Sequence, residues 1–326
     1  MSFLEGLPRP IFILAPMDDV TDTVFRQIIA DLAPPDLYFT EFVNVDGLQS
    51  QGREKLLKKL RFTDKERPIV AQLWGTNPEN FYKTVKEVKQ MGFDGVDLNM
   101  GCPVKNVVKA GACAALINNR ELAAEIIDAS REASRSTDST SSLQASSGQA
   151  GKQFPVTVKT RVGFNTTDMS WIEFLLSKKL DLLSIHGRTA KQLSKVPPNW
   201  DLIGRAREMR DLLCPATLVV GNGDVMSRQQ GLELAKKYKL DGIMVGRGVF
   251  EDPFLFANPL DSGSPWSSYT WEQKIDLYRK HIELFANTWK NGERRIETLN
   301  KFCKVYISDV KGDDPSDPEP GGIESL

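Results

Sequence analysis

The chain has 326 residues, of which 40% are hydrophobic and 26% are charged, and its formal net charge is −1. This composition is typical of a globular protein with a large core. The net charge does not indicate a nucleic-acid partner, and binding to nucleic acid would need a local basic patch. Membrane spans of ~18–20 apolar residues, a secretory signal, and the Cys and His spacing of a zinc site or disulfide framework are all missing from the sequence. We therefore expect a cytoplasmic monomer with no membrane partner and no metal.

Eight short apolar runs follow one another along the chain, and helical patterns separate most of them. The runs cover residues 11–17, 37–43, 68–75, 95–101, 156–163, 182–188, 216–224 and 242–248. Strands that are apolar almost throughout are typical of a parallel sheet buried on both faces. Repetition of strand and helix predicts a (β/α)8 TIM barrel over residues 1–260. The alternative is a doubly wound open sheet, which usually has fewer strands and a GxGxxG turn that this chain lacks.

Helical spacing of apolar residues connects the runs, and further helical patterns follow the last of them. The residues expected to cap helix N-termini are Asn119, Asp168, Asp201 and Ser227. Two helical patterns at 270–289 and 292–311 exceed what a barrel needs, so we expect a small helical domain over 265–311.

Two segments have compositions that do not build a core. Residues 134–153 are rich in Ser, Gly and Gln, which predicts a flexible insertion between the fourth helix and the fifth strand. Residues 312–326 are acidic and rich in Pro and Gly, which predicts a disordered tail.

The carboxyl ends of the runs hold unusual residues, and in a TIM barrel these ends form the active-site face. The residues are Pro16, Met17, Gln72, Asn99, Cys102, Lys159, Arg161, His186, Arg188, Asn222, Gly223, Asp224, Gly246 and Arg247. Glycines after both the seventh and the eighth runs predict a phosphate site, because they let backbone N–H groups approach an anion.

Several of these side chains have two interpretations on sequence alone. Gln72 is either a satisfied core amide or a partner of a planar heterocycle across the barrel mouth. Lys159 needs a partner, because a lysine in a barrel strand is rarely buried alone, and a phosphate or carbonyl oxygen of a ligand would be one. His186 is either structural or part of a site, whereas His281, inside a helical pattern, is expected to be structural. Cys102 is either core filling at a turn or a reactive thiol.

Taken in order, eight motifs resemble those of the tRNA-dihydrouridine synthase family. They are APMDDVTD (15–22), TEFV (40–43), VAQLWG (70–75), GVDLNMGCPVKNVVKAGACAAL (95–116), VKTRVG (158–163), IHGRT (185–189), GNGD (221–224) and MVGRG (244–248). The resemblance covers residues 9–260 and, more loosely, the two C-terminal helical patterns. The motif around Cys102 is specific to the family, whereas the barrel and phosphate motifs are shared with other FMN barrels.

The resemblance implies an FMN-dependent enzyme that uses NADPH to reduce the C5–C6 double bond of a uridine in the D-loop of tRNA. The hydride would pass from N5 of FMN to C6, and Cys102 would give the proton to C5. Asn99 and Arg161 would lie near the flavin or the uracil. The residues expected to bind FMN are Pro16, Met17, Asp18, Gln72, Lys159, His186, Asn222, Gly223, Asp224, Gly246 and Arg247.

This chain departs from the family pattern at two places. Asp18 and Asp19 stand where the family often has Ala-Gly, which makes backbone contacts there less certain. A glycine is common near Cys113, and we expect this cysteine to pack as a small hydrophobe; the alternative is that it tightens the loop.

The two C-terminal helical patterns are the candidate tRNA-binding element. Residues 271–311 hold nine Lys and Arg against six Asp and Glu, an excess that a solvated helix face would explain equally well. With the resemblance, we expect phosphate contacts from Arg294, Arg295, Lys301 and Lys304.

Two other classes of function compete with this reading. One is an FMN-dependent barrel oxidoreductase of a free small molecule, similar to dihydroorotate dehydrogenase or an ene-reductase. The extra basic helices and the Gly-Cys-Pro motif argue against it. The other is an RNA-binding barrel without catalysis, and the presence of Cys102, Lys159 and His186 argues against that.

Overall fold

The computed structural model describes residues 2–136, 153–258 and 266–307, apart from the side chains of Lys304 and Ile307. The chain separates into two compact units, Met1–Trp266 and Ser267–Leu326. Within the described residues, no helix is both long enough and apolar enough to cross a membrane.

The first unit contains eight parallel strands. They are β1 Ile11–Leu14, β2 Leu37–Phe39, β3 Ile69–Trp74, β4 Gly95–Met100, β5 Val156–Arg161, β6 Leu182–His186, β7 Leu218–Asn222 and β8 Gly242–Val245. Each strand pairs with the next, and β8 pairs with β1, where Ile11 lies opposite Gly242. The sheet is therefore a closed barrel, which confirms the predicted (β/α)8 fold and excludes the open sheet.

The strands are shorter than the predicted runs, because the chain turns away at the carboxyl ends. The second run is also interrupted: after β2, the two-residue strand Val43–Asn44 pairs with Leu73 and Trp74 at the end of β3. Residues 15–17 of the first run likewise belong to a loop, although the N–H of Ala15 still donates to Val245 O at 2.8 Å.

Helices surround the barrel, and α11 and α12 belong to the second unit. The α-helices are α1 Thr23–Leu32, α2 Val45–Leu48, α3 Arg53–Leu57, α4 Pro78–Gln90, α5 Lys105–Lys109, α6 Arg120–Arg135, α7 Met169–Ser177, α8 Trp200–Leu213, α9 Arg228–Tyr238, α10 Gly248–Glu251, α11 Trp271–Thr288 and α12 Asn300–Ile307. Short 3-10 helices cover Phe3–Gly6, Lys58–Leu60, Asp64–Glu66, Cys113–Asn118, Trp266–Ser268 and Ile296–Leu299.

Three of the four predicted N-caps are confirmed. The side chains of Asn119, Asp168 and Ser227 each accept a hydrogen bond from a backbone N–H in the first turn of their helix. The prediction for Asp201 was wrong. Asn199 caps α8, and Asp201, two residues further on in the first turn, accepts instead from the hydroxyl of Tyr238 at 2.7 Å.

Two predicted boundaries need correction. Helix α6 continues to Arg135, so Ser134 and Arg135 complete a helix and do not begin an insertion. The helix expected over 292–311 starts as an α-helix only at Asn300, after the 3-10 turn Ile296–Leu299. Most of the predicted insertion, 137–152, and the predicted tail, 312–326, lie outside the described residues.

The barrel interior changes from apolar to polar along the strands. A buried cluster that includes Ile11, Val70 and Val220 fills its amino-terminal part. Because side chains alternate along a strand, the next inward positions on β3 and β7 are Gln72 and Asn222. The interior therefore presents polar groups toward the carboxyl-terminal mouth.

In the second unit, His281 is a core residue of the α11–α12 pair. Its Nδ1 lies 3.0 Å from the hydroxyl of Tyr306, and its ring packs against Phe302. Burial lowers the pKa of His281 to about 4. The imidazole is therefore neutral near pH 7, in line with the structural interpretation.

Candidate active site

Cys102 sits in a turn directly after β4, and the turn is held at several points. The side-chain oxygen of Asn99 accepts from the N–H groups of Gly101 at 3.1 Å and Cys102 at 3.0 Å. The carbonyl of Cys102 accepts from the N–H of Ala114 at 3.2 Å. A Cβ at Gly101 would come within 3.1 Å of the Thr160 backbone, so the strand can approach this closely only with glycine. These contacts fix the half-buried thiol at the barrel mouth.

A chain of side-chain hydrogen bonds runs beneath this turn. Asn99 Nδ2 donates to Gln72 Oε1 at 3.0 Å, and Gln72 Nε2 donates to Asp97 at 2.8 Å. Thr157 donates to the other carboxylate oxygen of Asp97 at 2.5 Å. Burial raises the pKa of Asp97 to about 6, against these hydrogen bonds. Gln72 is thus a satisfied core amide with one N–H left over for a ligand.

Lys159 lies on β5 with Asn99 of β4 and Ser184 of β6 as its neighbours in register. Within residues 2–136, 153–258 and 266–307, its amine makes no hydrogen bond and no ion pair. Burial, followed by the charge of Arg161, lowers the pKa of Lys159 to about 8. The amine is therefore still mostly protonated at neutral pH, and it is available to an electron-rich ligand atom.

Arg161 fastens two loops of the mouth together. Its Nε donates to the carbonyl of Gly101 at 3.0 Å, and its Nη1 donates to the carbonyls of Thr189 at 3.0 Å and Leu193 at 3.1 Å. Burial lowers the pKa of Arg161 to about 10, which leaves the guanidinium charged at neutral pH. It therefore supplies positive charge beside Cys102 while its N–H groups hold backbone.

The Cys102 thiol is more acidic than an ordinary cysteine. A hydrogen bond from Cys113 lowers the pKa of Cys102, burial opposes this, and the Val104 backbone and the charges of Lys159 and Arg161 lower it further, to about 7. The ordinary value is about 8.5. Thiol and thiolate therefore coexist at neutral pH, and the protonated form predominates only below it.

The opposite side of the mouth is built from ion pairs. Arg188, which is 2% exposed, donates through both terminal nitrogens to the carboxylate of Asp224, with Nη1 at 3.0 Å. Arg247 donates to the same carboxylate at 2.7 Å. Burial raises the pKa of Asp224, but the two arginines outweigh it and hold the pKa below its usual value. Asp224, expected to bind phosphate, is the counter-ion that orients both arginines.

His186 is neutral in this surrounding. Burial and the charges of Arg161, Lys159, Arg188 and Arg247 hold the pKa of His186 well below its usual range. Its Nε2 lies 3.3 Å from Nη1 of Arg188. Since an arginine only donates, Nε2 is the acceptor and Nδ1 carries the proton.

Glycines lie at the ends of β7 and β8, and the backbone at Gly223 after β7 fits only glycine. Gly223 has φ +141°, and a Cβ there would come within 2.6 Å of Pro198. The Asn222 side chain is tied to β8, because its Nδ2 donates to Met244 O at 2.8 Å. At Gly246 a Cβ would meet only Met17 Sδ at 3.7 Å and Ala15 Cβ at 3.8 Å. Gly246 therefore lies beside Met17, and a Cβ at this position would make only ordinary contacts.

The loop after β1 is tied back to the barrel. Pro16 and Met17 are half-buried, whereas Asp18 is exposed and forms an ion pair with Lys59. Lys59 also lies 4.0 Å from Glu41, whose carboxylate accepts from the N–H of Asp19 at 2.8 Å. The Asp18 carboxylate is therefore engaged by a lysine, whereas Met17 remains beside Gly246.

In the second unit, the four predicted phosphate contacts differ in exposure. Arg295 is exposed and Lys301 is half-buried. Arg294 is 7% exposed, and its guanidinium lies 5.2 Å from the centre of the Trp289 ring. The side chain of Lys304 lies outside the described residues.

Sequence reasoning missed three residues of the mouth. Asp97 is a charged residue in an otherwise apolar strand, and that exception was a usable signal. Arg188 was noted at a strand end, but its pairing with Asp224 was not foreseen. Cys113 was expected to pack as a small hydrophobe, with tightening of the loop as the alternative.

A closed parallel barrel with a thiol, an amine, an imidazole and three guanidinium groups at its carboxyl-terminal mouth has the architecture of a TIM-barrel enzyme. The family model for dihydrouridine synthase matches residues 13–315. The chain belongs to the dihydrouridine synthase family, which confirms the resemblance found in the sequence.

Curated relatives agree with this assignment. A probable tRNA-dihydrouridine synthase of Staphylococcus aureus (strain MRSA252) is 41% identical over 314 residues, which cover 95% of this chain and 88% of that protein. A probable tRNA-dihydrouridine synthase 2 of Bacillus subtilis (strain 168) is 39% identical, with coverage of 95% and 89%. The solved complex of 2-naphthoyl-CoA reductase with 2-naphthoyl-CoA has a TM-score of 0.54 at 12% identity, over 75% of this chain and 49% of that one. This last similarity concerns the fold alone.

Proposed function

We propose that the chain reduces the C5–C6 double bond of a uridine in the D-loop of tRNA to 5,6-dihydrouridine, with FMN as cofactor and NADPH as reductant. Family membership and the relatives that match 95% of the chain support this proposal. The observation that carries it is the rigidly held Cys102 thiol at the same barrel mouth as the half-buried Lys159 side chain. A tRNA substrate would place the protein in the cytoplasm, and a monomer stays our expectation.

The mouth has the donors that FMN needs. Lys159 and the remaining N–H of Gln72 would serve electron-rich atoms of the flavin ring, and neutral His186 would donate through Nδ1. Arg247, held by Asp224, and the backbone at Gly246 would suit a phosphate. The remaining members of the proposed FMN set are Pro16, Met17, Asp18, Asn222 and Gly223. When bound, FMN would supply the hydride for C6 of the uracil.

Cys102 would complete the reduction by giving its proton to C5. A general acid works best when its pKa lies near the operating pH, and the pKa of about 7 meets that condition. Lys159 and Arg161 would stabilise negative charge that develops on the uracil carbonyls. Asn99 would keep the Cys102 turn in place while it binds near the base.

The target base must leave the RNA stack to reach a barrel mouth, which costs a few kcal/mol. Binding of other parts of the tRNA by the protein would compensate for the cost of flipping the base. We assign this role to the second unit, with phosphate contacts from Arg295 and Lys301, and from Lys304 and Arg294 as the sequence predicts. The exposure of Arg295 supports its part, whereas Arg294, packed on Trp289, presents little surface to RNA.

The direct test is a reaction of the purified full chain with FMN, NADPH and an unmodified tRNA transcript. We expect a flavin absorbance spectrum and dihydrouridine in the digested tRNA by mass spectrometry, formed only when NADPH and protein are both present. Free uridine and orotate serve as competing substrates. Reduction of orotate by FMN-loaded protein that leaves tRNA unchanged would move the assignment to a small-molecule oxidoreductase.

A further inference from the structure

Cys113 is buried directly beside Cys102. It begins the 3-10 helix Cys113–Asn118, has no exposed surface, and forms with Val107 and Ala112 the cluster against which Cys102 packs. The next residue, Ala114, donates its N–H to the carbonyl of Cys102 at 3.2 Å. Backbone and side-chain contacts therefore hold the two cysteines together.

The backbone at Cys113 is unusual for a cysteine. Its φ is +52°, in the left-handed region that residues other than Gly, Asn and Asp rarely adopt. Glycine would fit this backbone at no steric cost. A strained side chain that persists next to a site suggests that the side chain itself has a role there.

We propose that Cys113 is a positioning residue for Cys102: its S–H donates to the Cys102 sulfur, holds that sulfur at the mouth and stabilises the thiolate left when the proton departs. The proposal deepens the proposed function and rests on it for the meaning of the departing proton. Burial holds the pKa of Cys113 well above its usual range, so Cys113 stays a thiol and remains the donor of the pair.

Other groups that face Cys102 are known and stay in place when Cys113 is changed. They are the Lys159 amine and the Arg161 guanidinium from β5, and the backbone at Val104. Among the influences on the Cys102 pKa, the hydrogen bond from Cys113 is the largest. Without Cys113, only the Val104 backbone and the charges of Lys159 and Arg161 oppose the effect of burial. The pKa of Cys102 should therefore rise.

The test uses Cys113→Gly, which removes the thiol and suits the left-handed backbone, and Cys113→Ser, which keeps a donor. Cys214→Ala, a buried cysteine at the end of α8, is the matched control. The rate of Cys102 alkylation by iodoacetamide is followed against pH in the full chain, with peptide mass spectrometry to identify the site. Only the thiolate reacts.

We expect a midpoint near pH 7 for the wild type and for Cys214→Ala. Cys113→Gly should shift the midpoint upward by about one unit, which is roughly tenfold slower alkylation at pH 6. Cys113→Ser should lie between them. The same midpoint in Cys113→Gly and the wild type would overturn the positioning role.

This assay separates the inference from the proposed function, because alkylation needs neither tRNA nor NADPH. In turnover, the fall in dihydrouridine formation at alkaline pH should move upward by the same amount in Cys113→Gly. An alkylation shift in a protein whose wild type forms no dihydrouridine would reject the proposed function and leave the Cys102–Cys113 relationship standing. If the pH dependence of alkylation shifts in Cys113→Gly but the pH dependence of dihydrouridine formation does not, Cys113 has no role in the reaction through the Cys102 pKa.

Discussion

The two sides of the barrel mouth are built by different means. On the β3–β5 side, Cys102, Asn99 and Gln72 are joined by hydrogen bonds between uncharged groups, at 3.0 Å in each case. On the β6–β8 side, Arg188 and Arg247 are held by the carboxylate of Asp224. Amide hydrogen bonds therefore hold the Cys102 turn, with the charges of Lys159 and Arg161 beside it, whereas ion pairs hold the opposite side.

This difference separates two tasks, proton donation by Cys102 and anion binding beside the arginines. The two tasks would interfere if the same groups carried both. A carboxylate next to Cys102 would raise the pKa of the thiol and weaken it as an acid. Asp224 lies instead among arginines, where it is neutralised and where fixed positive charge favours an anion. The neutral hydrogen bonds around Cys102 orient the thiol without adding a charge of their own.

The largest effect should follow from breaking the charged side. Asp224→Asn keeps a residue that tolerates the left-handed backbone at φ +46° but leaves buried Arg188 without its counter-charge. Loss of one partner of a buried ion pair costs about 3 kcal/mol. We expect the free energy of unfolding to fall by about that amount in urea denaturation.

Arg247→Ala is the matched comparison, because it breaks the other, exposed half of the same ion-pair cluster. An exposed pair contributes less than about 1 kcal/mol. Equal losses in Asp224→Asn and Arg247→Ala would show that burial of Arg188 does not set the energetics of this side.

A smaller effect should follow from Lys159→Met on the other side, which keeps the length of the side chain and removes its charge. A hydrogen bond to a charged group contributes about 2 kcal/mol, so FMN should bind roughly thirtyfold more weakly. Fluorescence titration of FMN measures this directly. Unchanged FMN affinity would remove Lys159 from the cofactor site.

Lys159 also gives a pH signature without cofactor. The pKa of Lys159 is about 8 in the folded protein against 10.5 for an ordinary lysine, so between these values the unfolded chain binds more protons. Wild-type stability therefore gains from this group as pH rises from 8 to 10.5. Lys159→Met should be more stable than the wild type at pH 7.5, and the difference in melting temperature should shrink at pH 9.5. A constant difference would contradict the burial of a charged amine.

The sequence was most informative for residues whose position depends only on the strand that carries them. Counting eight apolar runs put Cys102, Lys159 and His186 at a single mouth, and the barrel confirms that placement. Contacts between segments that are distant along the chain could not be predicted from the sequence. Asp224 could not be identified as a counter-ion without the position of Arg188, and Arg294 could not be known as buried without Trp289.

The exact start of a helix was also not predictable from the sequence. Asp201 and Asn199 are both good caps, and only the observed first turn of α8 shows that Asn199 is the cap. The acidity of Cys102 depends on Cys113, Lys159 and Arg161 together, which belong to two different segments of the chain. Residue types alone left Cys102 as either core filling or a reactive thiol, and its surroundings in the fold lower the pKa of the thiol.

The central claim is that Cys102 gives the proton to the reduced uracil, and Cys102→Ala tests it most directly. FMN-loaded Cys102→Ala and the control Cys214→Ala are compared for dihydrouridine formed per minute from tRNA and NADPH. We predict an unchanged flavin spectrum and a rate at least ~100-fold lower in Cys102→Ala, because a positioned acid contributes that much. Dihydrouridine formation at the wild-type rate in Cys102→Ala would contradict the account.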